Sequence, residues 1–201
     1  MQKKVIIFVL SIFFVFLISI SLMFFYKELS LSQKLSECQK YRGNIEFYRM
    51  IYQDIFLTLD IQGRLLRKDM RICDETGNKL VLKDLVDGKK LVMRYSELNC
   101  NVCVDSLLAC LKERFDTIGW DKLLILATYH NKSNYYIFKR INKLKNVYQI
   151  DSIGCSLEEY NIPFLFLLDE DYSVKYPFIP HKEIMRETES YLDFIVDKLN
   201  F

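Results

Sequence analysis

Leu91-Val92-Met93-Arg94-Tyr95-Ser96-Glu97-Leu98-Asn99-Cys100-Asn101-Val102-Cys103-Val104-Asp105-Ser106-Leu107-Leu108 decides how this chain is read. It begins as an apolar, extended run and passes through a polar corner. It then delivers Cys-x-x-Cys into the first turn of a helix. A thiolate at a helix N-terminus faces unpaired backbone N–H groups and the positive end of the dipole, so its pKa falls. The two-residue spacer brings the second sulfur within reach of the first. Zinc sites share this spacing, but they need a second Cys-x-x-Cys or a His pair at ligand spacing. The chain has neither. Two readings of the pair stay open: a redox-active dithiol, and a static disulfide with no chemistry of its own.

The flanks predict the elements around it. Residues 72–82 read as a hairpin turning at Thr76-Gly77-Asn78, with Cys73 a structural residue on it. After the dithiol, Leu107, Leu108, Leu111 and Phe115 keep helical spacing to about residue 118, and Cys110 serves as a small buried hydrophobe. Residues 123–129 form an apolar run, as in a strand covered on both faces. Asn131 or Ser133 caps a helix running to about residue 145, and a short strand at 147–150 follows. Residues 151–161 are a polar loop holding Gly154 and Cys155. Pro163 then opens a strand, which turns at Asp169-Glu170-Asp171 into another. Residues 181–199 make a last helix with Ile184, Tyr191, Ile195 and Leu199 inward. Strands alternating with helices imply an α/β fold, a sheet with helices on both faces.

Upstream, Leu31, Leu35, Cys38, Ile45, Tyr48, Tyr52, Ile55 and Leu59 recur at three- and four-residue spacing with no proline. That predicts an amphipathic helical stalk over residues 27–62, the alternative being a helix packed on the domain itself; the clean heptads are too few to argue a short coiled coil. Before it, the basic head Met1-Gln2-Lys3-Lys4 precedes an uncharged run from Val5 to Tyr26. That run is roughly 22 residues, enough for a bilayer core of about 30 Å. It ends in Leu22-Met23-Phe24-Phe25-Tyr26, without the small residues of a cleavage site. The expectation is an uncleaved membrane anchor over residues 1–26, a stalk over 27–62 and a domain over 63–201. Lys3 and Lys4 favour a cytoplasmic N-terminus and an extracytoplasmic domain.

The chain has 201 residues, a net charge of +2 and six cysteines. The basic residues are scattered, so no nucleic-acid surface is implied. Six cysteines are too few for a disulfide scaffold of this size. No Ser/His/Asp set, phosphate loop or paired-carboxylate site is evident. His130 and His181, the two histidines, are the candidates for a metal-handling role beside the cysteines, and a surface or helix-start position is the simpler reading of each.

From residue 72 to 200 the chain resembles the thioredoxin-like superfamily. The strand feeding Cys100-Asn101-Val102-Cys103, the following strand–helix–strand, and Ile162-Pro163 opening the last hairpin carry the resemblance. The lead-in hairpin with Leu82-Lys83-Asp84-Leu85, together with the anchor, looks most like the membrane-tethered TlpA-like thiol–disulfide proteins of bacterial envelopes. The resemblance implies a central mixed sheet with helices on both faces. It also implies thiol–disulfide oxidoreductase activity at Cys100 and Cys103, a substrate groove beside Ile162 and Pro163, and a cis bond between those two. Protein thiols or disulfides of the envelope and a membrane or soluble electron donor would be the partners, at the cytoplasmic (inner) membrane. No cofactor or metal is implied.

The chain departs from the family at Asn99, where tryptophan is usual, and in its Asn101-Val102 spacer. Arg94 stands where a buried acid often serves proton transfer, and Glu97 lies nearby on the turn, so both are candidate modulators of the thiols. A peroxiredoxin is not indicated, because no Pro-x-x-x-Thr-x-x-Cys occurs. The competing function is a tethered module that binds a peptide beside Pro163 without catalysis.

Overall fold

The computed structural model describes residues 2–199, with side chains described for residue 14 and from residue 16 onward. Lys3, Lys4 and the first half of the expected anchor therefore lie outside the residues whose side chains are described. Among the described residues, no helix is long and apolar enough to cross a membrane. The backbone of α1 is one helix, Gln2–Ile61. The chain divides into two units, Met1–Tyr52 and Gln53–Phe201, so the last turns of α1 belong to the second. They do so because Ile61 is buried in the core of that unit, with Leu57 packed against it.

The second unit is built on a seven-stranded sheet ordered β2-β1-β5-β4-β3-β6-β7. Its strands are β1 (Arg71–Cys73), β2 (Lys79–Val81), β3 (Lys90–Ser96), β4 (Leu123–Thr128), β5 (Val147–Gln149), β6 (Phe164–Leu168) and β7 (Val174–Phe178). Three helices complete it: α2 (Asn101–Ile118), α3 (Lys132–Asn142) and α4 (Met185–Leu199). The β1–β2 turn is made by Asp74, whose Oδ1 accepts from the N–H of Thr76 at 2.8 Å and of Asn78 at 2.9 Å. β3 pairs in parallel with β4 and antiparallel with β6. Asn131 caps α3, its side chain accepting from the N–H of Ser133 at 2.8 Å.

Side chains alternate across the central strands with the period of two that a strand imposes. Leu91, Met93 and Tyr95 of β3, Leu123, Ile125 and Ala127 of β4, and Leu165 and Leu167 of β6 meet α2 and α4 in one cluster. Val92, Leu124, Leu126, Phe164, Phe166 and Leu168 point the other way. That second face is covered by the end of α1, by Leu66 and Leu82, and by Leu157 on the short turn Ser156–Tyr160.

The expected helices on both faces are therefore unevenly shared. Tyr135 of α3 sits in the same cluster as α2 and α4. The crossovers β3–α2–β4 and β4–α3–β5 both step the same way along the sheet. Right-handed connections stepping in one direction put their helices on one face.

Candidate functional site: a dithiol at the start of α2

β3 ends at a corner that Asn99 shapes. The Asn99 Oδ1 accepts from the N–H of Ser96 at 2.8 Å, and the Asn99 N–H donates to the Ser96 carbonyl at 3.0 Å. Asn99 is buried. In place of a tryptophan, the chain uses a side chain that mimics a backbone turn. This corner sets Cys100 at the N-cap of α2, where its carbonyl accepts the first helical bond, from the Val104 N–H at 3.1 Å. An N-cap residue lies beside N–H groups that no carbonyl in the helix can reach.

Cys100 is exposed, Cys103 is half-buried, and both are free thiols. The pKa of Cys100 is lowered, first by a hydrogen bond from the Cys103 thiol and then by the Cys103 N–H. The Val102 N–H and the positive charge of Lys182 add to this. Cys103 is pushed up to about 11, first by burial and then by its role as donor to Cys100. The two sulfurs thus differ in kind: one is an exposed thiolate former, the other a half-buried proton holder. The sequence reading missed Lys182. It stands on the short turn Lys182–Ile184, which packs against α2 just before α4.

Arg94 is on β3 but does not face the sulfurs. Its neighbours Met93 and Tyr95 belong to the α2 side of the sheet, so Arg94 points to the opposite face. It is 4% exposed. Its Nε donates to Glu158 Oε1 at 2.6 Å and its Nη2 to Thr128 Oγ1 at 2.6 Å, while Nη1 donates to the carbonyl of Tyr95. Glu158 also accepts from Ser152 Oγ and from the N–H groups of Ile153 (3.1 Å) and Gly154 (3.0 Å). Burial works against the Glu158 charge. The Ser152 hydroxyl, the Arg94 charge and the Ile153 N–H outweigh it, and the net shift of the pKa is downward. The guanidinium is thus committed to a carboxylate, and the cation whose charge lowers the Cys100 pKa is Lys182.

Ile162 shares with Arg94, Asn99 and Glu158 the wall of a cavity of about 20 Å³. The loop before β6 therefore reaches the corner that carries Cys100. Pro163 is buried. The Ile162–Pro163 bond is trans, since no cis peptide occurs among the described residues. This corrects the expectation drawn from the resemblance. Asn161, at φ 51° and ψ 39°, is left-handed and ends the Ser156–Tyr160 turn two residues before Pro163.

Glu97 lies on the other flank, on the wall of a groove of about 740 Å³ that also includes Leu98, Asn101 and Asp105. Its Oε1 accepts from the His130 N–H at 2.7 Å and lies 2.5 Å from His130 Nδ1. That backbone bond leads the causes that lower the Glu97 pKa. His181 Nε2 is 2.6 Å from Asp54 Oδ2 at the end of α1, and this bond raises the His181 pKa. Each histidine is thus engaged by a carboxylate. Among the described residues, no group of three or more His, Cys, Asp or Glu could hold a metal ion. Cys73 lies on β1, Cys110 packs against the α2-side core, and Cys155 is buried at the start of the Ser156–Tyr160 turn.

Neither a protein-family model nor a curated protein matches the chain. Solved structures do resemble it. The thioredoxin domain of a thiol-disulfide oxidoreductase from Bacteroides vulgatus has 17% identity and a TM-score of 0.47, over 65% of this chain and 96% of that one. A thiol:disulfide interchange protein from Bacteroides sp. has 17% identity and a TM-score of 0.45, over 66% and 90%. A thiol peroxidase from Chromobacterium violaceum has 16% identity and a TM-score of 0.42, over 66% and 90%. Scores and identities this low carry no argument about activity; any conclusion about chemistry rests on the geometry at Cys100 and Cys103.

Proposed function

We propose that this protein is a membrane-anchored, extracytoplasmic thiol–disulfide oxidoreductase whose working pair is Cys100 and Cys103. The observation that carries the reading is the inequality of the two sulfurs: an exposed Cys100 with a lowered pKa, and a half-buried Cys103 raised to about 11.

That inequality assigns the steps. In the reducing direction, the Cys100 thiolate attacks one sulfur of a substrate disulfide. The Cys100–substrate bond forms as the substrate S–S bond breaks, and the departing thiolate takes up a proton. Cys103 then gives up its proton and attacks the Cys100 sulfur. The Cys100–Cys103 disulfide closes and the second substrate thiol leaves. Two electrons have passed from the dithiol to the substrate, and a thiol donor of the envelope restores the pair. Run backwards, the same steps oxidise a substrate dithiol. Ile162, on the loop that reaches the Cys100 corner, borders the approach for a polypeptide substrate, with the buried Pro163 behind it.

The anchor and the location rest on the uncharged run from Val5 to Tyr26 behind Lys3 and Lys4. One experiment tests location and chemistry together. Spheroplasts carrying the full chain are treated with a membrane-impermeant maleimide, before and after oxidation with diamide and after re-reduction. The protein should sediment with membranes. Peptide mapping should find label on Cys100 in the reduced state, none after diamide, and label again after dithiothreitol. A soluble, shortened product would overturn the anchor. Label on Cys100 that diamide does not remove would overturn the redox pair and leave a binding module.

A further inference from the structure

We propose that residues 31–52 of α1 form a parallel, two-stranded coiled coil with a second copy of this chain. This is independent of the redox reading. Leu31, Cys38, Tyr41, Ile45, Tyr48 and Tyr52, with Lys34 among them, follow one another at alternating steps of three and four. That is a repeat of 3.5 residues, the period that keeps one seam facing a partner helix.

Spacing alone does not make a seam; the structure adds what it lacks. The helix is unbroken through Gly43, where a Cβ would meet nothing within 4 Å, so the spacing becomes a continuous stripe. Leu31, Tyr41, Ile45, Tyr48 and Tyr52 are each 61 to 69% exposed, and Cys38 is exposed too. The opposite face reads Ser32, Gln33, Ser36, Gln39, Lys40, Gly43, Glu46, Phe47 and Met50, polar in its first half and mixed in its second. An apolar stripe this long, on a helix carrying a mid-helix glycine, does not sustain itself in water without a cover.

Charge flanking the seam identifies the cover. One flank carries Leu35, Arg42 and Arg49, and the other carries Glu37, Asn44 and Ile51, so the charges of the two flanks are Arg on one and Glu on the other. In a parallel pair, each residue of the second flank meets the residue five places on in the first flank of the partner helix. Glu37 then faces Arg42 of the second copy, and Asn44 faces Arg49. An antiparallel pair would set the arginines of the two copies against each other. Arg42 presently bonds Glu46 at 3.3 Å, with both side chains largely exposed, an exchangeable surface pair. Two chains inserted by the same end would also have to meet in parallel.

The test uses the full chain, with its native cysteines, in detergent micelles. Sedimentation should show a dimer. Glu37→Arg and Arg42→Glu should each weaken self-association about tenfold, since two symmetric pairs turn repulsive. The double variant Glu37→Arg/Arg42→Glu should restore it. Copper-phenanthroline should link the wild-type dimer covalently and fail with Cys38→Ser, because parallel seams set the two Cys38 side by side. A monomer at all concentrations would overturn the proposal, whether the stripe then lies on lipid or on another protein. So would a double variant weaker than both singles, or a dimer that Cys38 does not link.

Discussion

Cys103→Ser should accumulate mixed disulfides with other proteins through Cys100, whereas Cys100→Ser should trap almost nothing. The cause is the division of labour at the start of α2. Cys100 sits at the N-cap, is exposed and has a lowered pKa, so it forms the first bond. With serine at 103, no sulfur attacks that bond and the intermediate persists. With serine at 100, the remaining thiol is still half-buried, and burial, the first cause of its raised pKa, keeps most of it protonated near neutral pH. The trapped material should differ by roughly tenfold or more between the two variants, as resolution is lost in one and attack in the other. Non-reducing gels of membranes quenched in acid, followed by mass spectrometry of the bands, read this directly. Equal trapping by both variants would contradict the assigned order of attack.

Glu158→Ala should cost about 3–5 kcal/mol of stability, the usual penalty for removing one partner of a buried ion pair. Arg94 and Glu158 have side chains only 5% and 15% exposed. Removing the carboxylate leaves the guanidinium uncompensated and strips the Ile153 N–H of its acceptor, while the Gly154 N–H keeps only Ser152 Oγ at 2.8 Å. Against a typical domain stability of about 5–15 kcal/mol the loss is large. Replacing both partners with apolar residues, Arg94→Met with Glu158→Leu, should recover much of it, because no charge remains buried. The pH dependence follows from the depressed folded pKa of Glu158. Its contribution is present above the unfolded value of about 4.3 and is lost as pH falls through the folded value. Wild-type stability should therefore fall with acid in that window, and the Glu158→Ala variant should lack that component. Urea denaturation of the detergent-solubilised chain at several pH values measures both. A loss below about 1 kcal/mol would mean that the pair is not coupled to folding as its burial implies.

The parts of this molecule differ in how far they can be read from sequence, for physical reasons. The strand–corner–dithiol–helix unit was legible because its signals are local: an apolar run at 91–95, two cysteines three apart, and leucines at helical spacing after them. The order of strands and helices was legible for the same reason; of the two cap candidates for α3, Asn131 and Ser133, the structure uses Asn131. The partner of Arg94 was not, because Glu158 lies 64 residues away on a polar loop that periodicity does not describe. An arginine inside an apolar strand was the available signal that a distant carboxylate had to exist, since a buried charge needs one. The crowding of α2, α3 and α4 onto one face turns on strand order, which no local pattern carries. Lys182 escaped notice because only the packing of the turn before α4 against α2 brings it to the dithiol. The trans bond at Pro163 runs against the family resemblance.

The most direct test of the dithiol assignment is the rate of alkylation of each sulfur as a function of pH, followed by mass spectrometry on the reduced full chain. Cys100 should react first, with a midpoint below the free-thiol value of about 8.5. Cys103 should stay nearly inert until the pH approaches the value of about 11 to which burial and its bond to Cys100 raise it. Equal rates at the two sulfurs, with both midpoints near the free value, would contradict the account.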